Sequence, residues 1–215
     1  MTNIIFFSDS ESINLYPLNL GKCPSTLHFG VRSVSTQWTE AIAKNKNKNT
    51  SNIKLNSRLM PTNESVEFVC QMNSGQKWVV NGETLAEIEG DVSKEIGGDV
   101  SAILTTSAAD YFELCGEGIR TDLDRLKLMW GARSLNESER ESWAMNGVFF
   151  HGDLEQVHIS PGVKIRSCTI NTESGDVIIG PNSEIMEGSC IRGPFALGEN
   201  STVKMGSQIY GPTSI

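Results

Sequence analysis

From Ile179 onward, aliphatic residues return at every sixth position: Ile179, Ile185, Ile191, Leu197, Val203, Ile209 and Ile215. Small residues stand close to them in IGPNSE, IRGPFA, LGENST and IYGPTS, and the positions between are polar. A helix with 3.6 residues per turn cannot hold residues six apart on one face, whereas a coil with three six-residue sides turns each of them inward. Upstream, Val157, Val163 and Thr169 continue the period, and the interval from Thr169 to Ile179 leaves four extra residues for a protruding corner around Asn171 to Asp176. The stacking expected there is 22 residues, with Val157 beneath Ile179, Val163 beneath Ile185 and Cys168 beside Cys190, and 18 residues thereafter. An inward-facing Ile215 leaves the last coil uncapped, so the pattern predicts either a covering partner chain or a fragment whose coils continue.

The chain before this repeat alternates between two periods. Ile4 to Phe7 is an apolar run entering the polar Ser8-Asp9-Ser10-Glu11, which predicts a buried strand and a turn at its end. Val31, Val34, Trp38 and Ile42 are spaced as one helical face within Gly30–Ala43, and Lys44–Asn52 has nothing to bury. Val66–Val69, Lys77–Val80 and Val100–Thr105 are β-branched runs that predict strands, with a turn at Asn81-Gly82. Thr121 is placed as the N-cap of a helix over Asp122–Trp130. The whole predicts two domains: residues 1–146 as an α/β domain with a largely parallel sheet, and residues 147–215 as the hexapeptide-repeat coil, with the boundary near Asn146-Gly147.

Charge narrows the partners. A net charge of −8 without a Lys/Arg cluster argues against a nucleic-acid polymer, although one bound nucleotide needs only a few local donors. There is no apolar run of the roughly 20 residues needed to span a bilayer and no basic stretch before the first apolar segment, which predicts a cytoplasmic protein. Five scattered cysteines without a C-x-x-C pair predict reduced thiols.

The run EIMEGSCIRGPFALGENSTVKMGSQIYGPTSI closely resembles bacterial sugar-nucleotidyltransferase-like proteins that join such a domain to a left-handed β-helix. These resemble the bifunctional N-acetylglucosamine-1-phosphate uridylyltransferase and glucosamine-1-phosphate acetyltransferase. The likeness extends through IRTDLDRLKLMWGARS and FFHGDLEQVHISPGVKI and returns in the first thirty residues. Where the family carries Leu-Leu-Pro-Leu-Thr, Thr-Arg-Pro and Leu-Arg-x-Gly, this chain reads Leu15-Tyr16-Pro17-Leu18-Asn19, Gly21-Lys22-Cys23 and Leu27-His28-Phe29-Gly30, so Lys22 and His28 replace two arginines. A bidentate fork on phosphate does not survive either change.

The resemblance implies left-handed coils, transfer of a nucleoside monophosphate from an NTP to a sugar 1-phosphate, Mg²⁺, and homo-oligomerisation through the β-helix. It also implies acyl transfer from acyl-CoA in a longer chain. A competing expectation is a non-catalytic binding or assembly module. In an open α/β sheet the phosphate site follows the first strand. The candidates there are Asp9 and Lys22 as catalytic residues, Asp9 as the Mg²⁺ ligand, and Ser8 and Arg32 as substrate contacts, with Asn81 and Gly82 contacting a base or sugar edge. His151 and His158 flank the coil as candidate bases without an identifiable carboxylate, and Glu184, Glu187, Arg192 and Lys204 should point outward.

Overall fold

The computed structural model describes residues 3–45, 52–91, 93–97 and 101–215. It divides into two compact units, Met1–Tyr111 and Phe112–Ile215. Most of the expected Lys44–Asn52 loop and the first residue of the expected strand at Val100 lie outside the described residues.

In the first unit, β1 (Ile4–Phe7) leads into a 3-10 turn over Ser10–Leu15, and a short hairpin of β2 (His28–Phe29) and β3 (Arg32–Ser33) precedes α1 (Val34–Lys44). The expected helix over Gly30–Ala43 thus begins later, because the Ser33 hydroxyl caps it by accepting from the Thr36 N–H. Its spacing is as read from the sequence, with Val34, Trp38 and Ile42 buried, and Trp38 Nε1 donates to the Leu59 carbonyl at 2.9 Å. There follow β4 (Ile53–Asn56), α2 (Asn63–Gln71), β5 (Gln76–Val80), β6 (Glu83–Ile88) and β7 (Lys94–Ile96). Val66–Val69, expected as a strand, lies inside α2, where Thr62 accepts from the Ser65 N–H and starts a helix that overrides the β-branched preference.

The sheet runs β1-β4-β6-β5-β7. Only β1/β4 and β5/β7 are parallel, while β4/β6 and β5/β6 are antiparallel. The sheet is therefore mixed rather than largely parallel. The cause is local: Asn81 and Gly82, at φ 52° and 82°, fold β5 onto β6 as a tight hairpin, with no room for a crossover helix. In Val100–Thr105 the described residues hold a single bridge, Leu104 to Leu59.

The short α3 (Ala108–Glu113) crosses the division between the units. The second unit then holds α4 (Cys115–Trp130), β8 (Arg133–Ser134) and α5 (Arg140–Met145), followed by eleven strands. These are β9 (Phe149–His151), β10 (Val157–Ile159), β11 (Lys164–Ile165), β12 (Thr169–Asn171), β13 (Val177–Ile179), β14 (Glu184–Ile185), β15 (Cys190–Arg192), β16 (Phe195–Leu197), β17 (Thr202–Val203), β18 (Gln208–Ile209) and β19 (Thr213–Ser214). The helix expected over Asp122–Trp130 starts earlier, at Cys115, so Thr121 is an interior residue and not its cap.

From β9 on, the chain visits three sheets in rotation: β9-β12-β15-β18, β10-β13-β16-β19 and β11-β14-β17, all with parallel neighbours. The expected boundary at Asn146-Gly147 falls just before this rotation begins, while the compact unit extends back to α4. That helix packs on β16 and β19, and Gly116 lies so close to Pro212 that a Cβ there would approach it to 3.2 Å. The helix explains a difference between the faces. The middle residues of β10, β13 and β16, which point away from the coil interior, are buried (His158, Ile178 and Ala196), whereas the outward Lys164, Thr202 and Cys190 elsewhere are exposed.

The stacking interval differs from the sequence expectation. Val157 pairs with Val177, Lys164 with Glu184 and Thr169 with Cys190, intervals of 20, 20 and 21 residues in place of 22. Above them Val177 pairs with Phe195, the 18-residue interval. The inward aliphatics of the lower coil are Ile159, Ile165 and Ile170. Val157, Val163 and Cys168 sit two residues earlier and share their face, because side chains alternate along a strand. This period of two lets the sequence pattern lock onto the other member of the pair at Val157 and Val163, while Thr169 is the outward residue between Cys168 and Ile170. The corner between β12 and β13 takes residues 172–176 where the next coil has only Gly193 and Pro194, so three residues are inserted there, not four. Cys190 accordingly stacks on Thr169 and faces out, while Cys168 is buried, and burial together with nearby Cys190 pushes its thiol up to about 12.

Candidate functional site

β1 and β4 are parallel neighbours that end side by side, Phe7 opposite Asn56, so Ser8-Asp9 and Ser57-Arg58 leave the sheet at one edge. Asp9 caps the 3-10 turn, accepting from the Ser12 N–H at 3.1 Å. Its carboxylate also accepts from Arg58 Nε at 2.9 Å, Arg58 Nη2 at 2.7 Å and Asn56 Nδ2 at 2.7 Å. Arg58 is wholly buried and continues to the Thr105 carbonyl at 2.8 Å and the Glu83 carboxylate at 3.2 Å. A buried guanidinium is stable only with such partners. Burial pushes the Asp9 carboxyl up, but the donors Arg58 and Asn56 and the Arg58 charge outweigh it and hold it at about 2. Burial likewise works against the Arg58 charge, and Asp9 and Glu83 more than compensate, so its value is raised. Tyr111 belongs to the same surroundings: burial first, with Cys23 nearby, raises its phenol against the Arg58 charge.

Ser8, Asp9 and the segment carrying Lys22 do come together. The Ser8 hydroxyl lies 3.3 Å from the Ser57 hydroxyl and 3.9 Å from Cys23 Sγ, and Cys23 is 3.1 Å from the Ser25 hydroxyl. Lys22 precedes Cys23 and is exposed. Asn81 and Gly82 form the exposed hairpin tip whose next residue, Glu83, reaches Arg58. Arg32 is paired with Glu40 of α1 at 2.8 Å, and His28 is exposed on β2.

The role expected of Asp9 as a Mg²⁺ ligand does not fit this geometry. Both its oxygens already accept from Arg58, and a divalent cation would have to displace a cation and an amide donor. Among the described residues no group of three or more His, Cys, Asp or Glu converges as metal ligands. The residues that sequence reasoning missed are Asn56, Ser57, Arg58 and Glu83. A polar Asn-Ser-Arg directly after the apolar residues of β4 was the available signal, since it repeats at β4 what Ser8-Asp9 does at β1.

On the coil, His151 is exposed on β9. His158 is buried and has a carboxylate partner, Asp176, that no spacing in the sequence identified. Glu187 and Lys204 are exposed, Glu184 is half-buried, and Arg192 bonds the Ser174 hydroxyl at 3.2 Å and lies over the Tyr210 ring. Among the described residues no helix is long and apolar enough to cross a membrane. The chain matches no family model, no curated protein and no solved structure.

Proposed function

We propose that this is a sugar-nucleotidyltransferase-like protein in which the carboxyl ends of β1 and β4 receive an NTP and a sugar 1-phosphate. The observation that supports the reading is the meeting there of Ser8, Asp9, Ser57 and Arg58 at the carboxyl ends of two parallel strands, the edge at which open α/β sheets bind phosphorylated ligands. In this reading Asp9 does not hold the metal; it fixes Arg58 and shapes the turn. Lys22, on the neighbouring segment, is the exposed cation for phosphate, with the exposed Ser8 as hydroxyl donor and the buried Ser57 behind it. Asn81 and Gly82 border the same edge through Glu83. No step is assigned to Mg²⁺. The rotation of strands among three sheets supports reading the second unit as a parallel β-helix; its left-handed sense, its assembly into homo-oligomers and any acyl transfer from acyl-CoA are what the resemblance implies.

Two observations favour a second reading, a binding and assembly module without catalysis: Asp9 is saturated and Arg32 is paired with Glu40. The test is pyrophosphate release from an NTP panel with several sugar 1-phosphates, with and without Mg²⁺, alongside calorimetric nucleotide binding. Release that is lost in Lys22→Ala supports transfer. Binding without release supports the module, and a folded sample that neither binds nor releases rejects both.

A further inference from the structure

Three residues distant in sequence form one hydrogen-bonded row on the second unit. β8 runs antiparallel to β10 with Ser134 opposite His158. His158 points out of the coil between the inward Val157 and Ile159, and its ring is 1% exposed. Nε2 lies 2.9 Å from Asp176 Oδ1, and Nδ1 lies 3.0 Å from the Ser134 hydroxyl. A carboxylate only accepts, so Nε2 carries the ring proton; the neutral imidazole then offers a lone pair at Nδ1, and the Ser134 hydroxyl donates to it. Burial, opposed by Asp176, lowers the proton affinity of His158, which favours the neutral ring near pH 7. The other charges facing it are Lys127 and Asp124 of α4. Ser134 itself is exposed on the edge strand, so the row opens to solvent at its hydroxyl end.

We propose that Ser134 is a nucleophile activated by His158 and oriented through Asp176, and that it takes small activated carboxylic esters. Ser134 Oγ attacks the carbonyl carbon while its proton passes to His158 Nδ1. The ester C–O bond then breaks, and the alkoxide leaves as the alcohol with that proton. Water adds to the acyl-serine, gives a proton to Nδ1, and releases the acid as Ser134 Oγ takes the proton back. Ser134 and His158 are the catalytic residues; Asp176 is a positioning residue. On an exposed strand the serine depends on the ester's own reactivity, so esters with good leaving groups are the substrates.

The experiment uses a fluorophosphonate probe and p-nitrophenyl acetate on the full chain. One adduct mapped to Ser134 is expected, absent in Ser134→Ala. His158→Gln should slow labelling by about 100-fold, the contribution of a positioned base. Asp176→Asn should move the pH midpoint of labelling downward, since the carboxylate raises the affinity of the ring for a proton. If His158→Gln fails to fold, Ser134→Cys decides: iodoacetamide should alkylate the introduced thiol faster at pH 7 than the exposed Cys190, because His158 generates its thiolate. A folded wild type that takes no label, a label unchanged in Ser134→Ala, or a thiol in Ser134→Cys that reacts no faster than Cys190 overturns the proposal.

Discussion

Each unit contains a polar network built around a buried nitrogen base, and the two are closed in opposite ways. In the first, Arg58 is surrounded by acceptors, namely Asp9, Glu83 and the Thr105 carbonyl, and the charge is neutralised on the spot. In the second, His158 has one acceptor and one hydroxyl, and the hydroxyl faces solvent. A saturated ion pair holds a fold in place; a neutral base with one open end can move a proton. The difference follows from side-chain chemistry, because a guanidinium cannot shed its proton and an imidazole can.

The sharpest way to break this contrast is Arg58→Ala. It strands Asp9 and Glu83 beside a hole, and removing one partner of a buried pair costs about 3–5 kcal/mol, read by urea unfolding. A loss below about 1 kcal/mol would mean that water already screens the pair. Next comes the coil beneath His158. Ile170→Ala should cost about 2–5 kcal/mol by opening a cavity, whereas Thr169→Ala should stay within about 1 kcal/mol as a half-exposed change. The reverse order would restore the phase read from sequence alone.

The smallest effects are titrations. Asp9 has a folded value of about 2 against an ordinary 3.8, so its stabilisation is complete above about 4 and is lost as pH falls toward 2. One unit corresponds to about 1.4 kcal/mol, and screening at this partly open site leaves a loss of about 1–2 kcal/mol. Asp9→Asn should flatten that limb of the unfolding free energy. His158 is also lowered on folding, so its contribution is present above its ordinary 6.5 and falls as pH drops below that. Comparison with His158→Gln between pH 7 and about 5 isolates it, and a stability that rises on acidification would reverse the assignment.

The coil is more legible in the sequence than either network. Ile179 through Ile209 keep their period because every turn buries the same aliphatic position, and repetition is visible in one dimension. The lower coil slips at Val157 and Val163, since two residues of each side face inward and a single period of six follows only one of them, and at Thr169 the period lands on the outward residue between Cys168 and Ile170. Val66–Val69 misleads because β-branching speaks of local preference while the Thr62 cap and the burial of Val69 decide the outcome. Asp9 is readable as the end of β1, but its partner Arg58 becomes visible only once β4 lies alongside. Ser134, His158 and Asp176 meet through strand pairing across 24 and 18 residues, and no pattern along the chain announces them.

The corner at residues 172–176 has a meaning beyond its shape. A repeat makes every coil interchangeable, and an interchangeable position cannot hold a unique arrangement of atoms. Asp176 closes the corner at which the lower coil is longer than the upper ones, and the preceding Thr172 anchors it by donating to the Asp153 carbonyl at 2.9 Å. The aliphatic ladder supplies rigidity through sameness, and the imidazole finds its carboxylate where that sameness is interrupted.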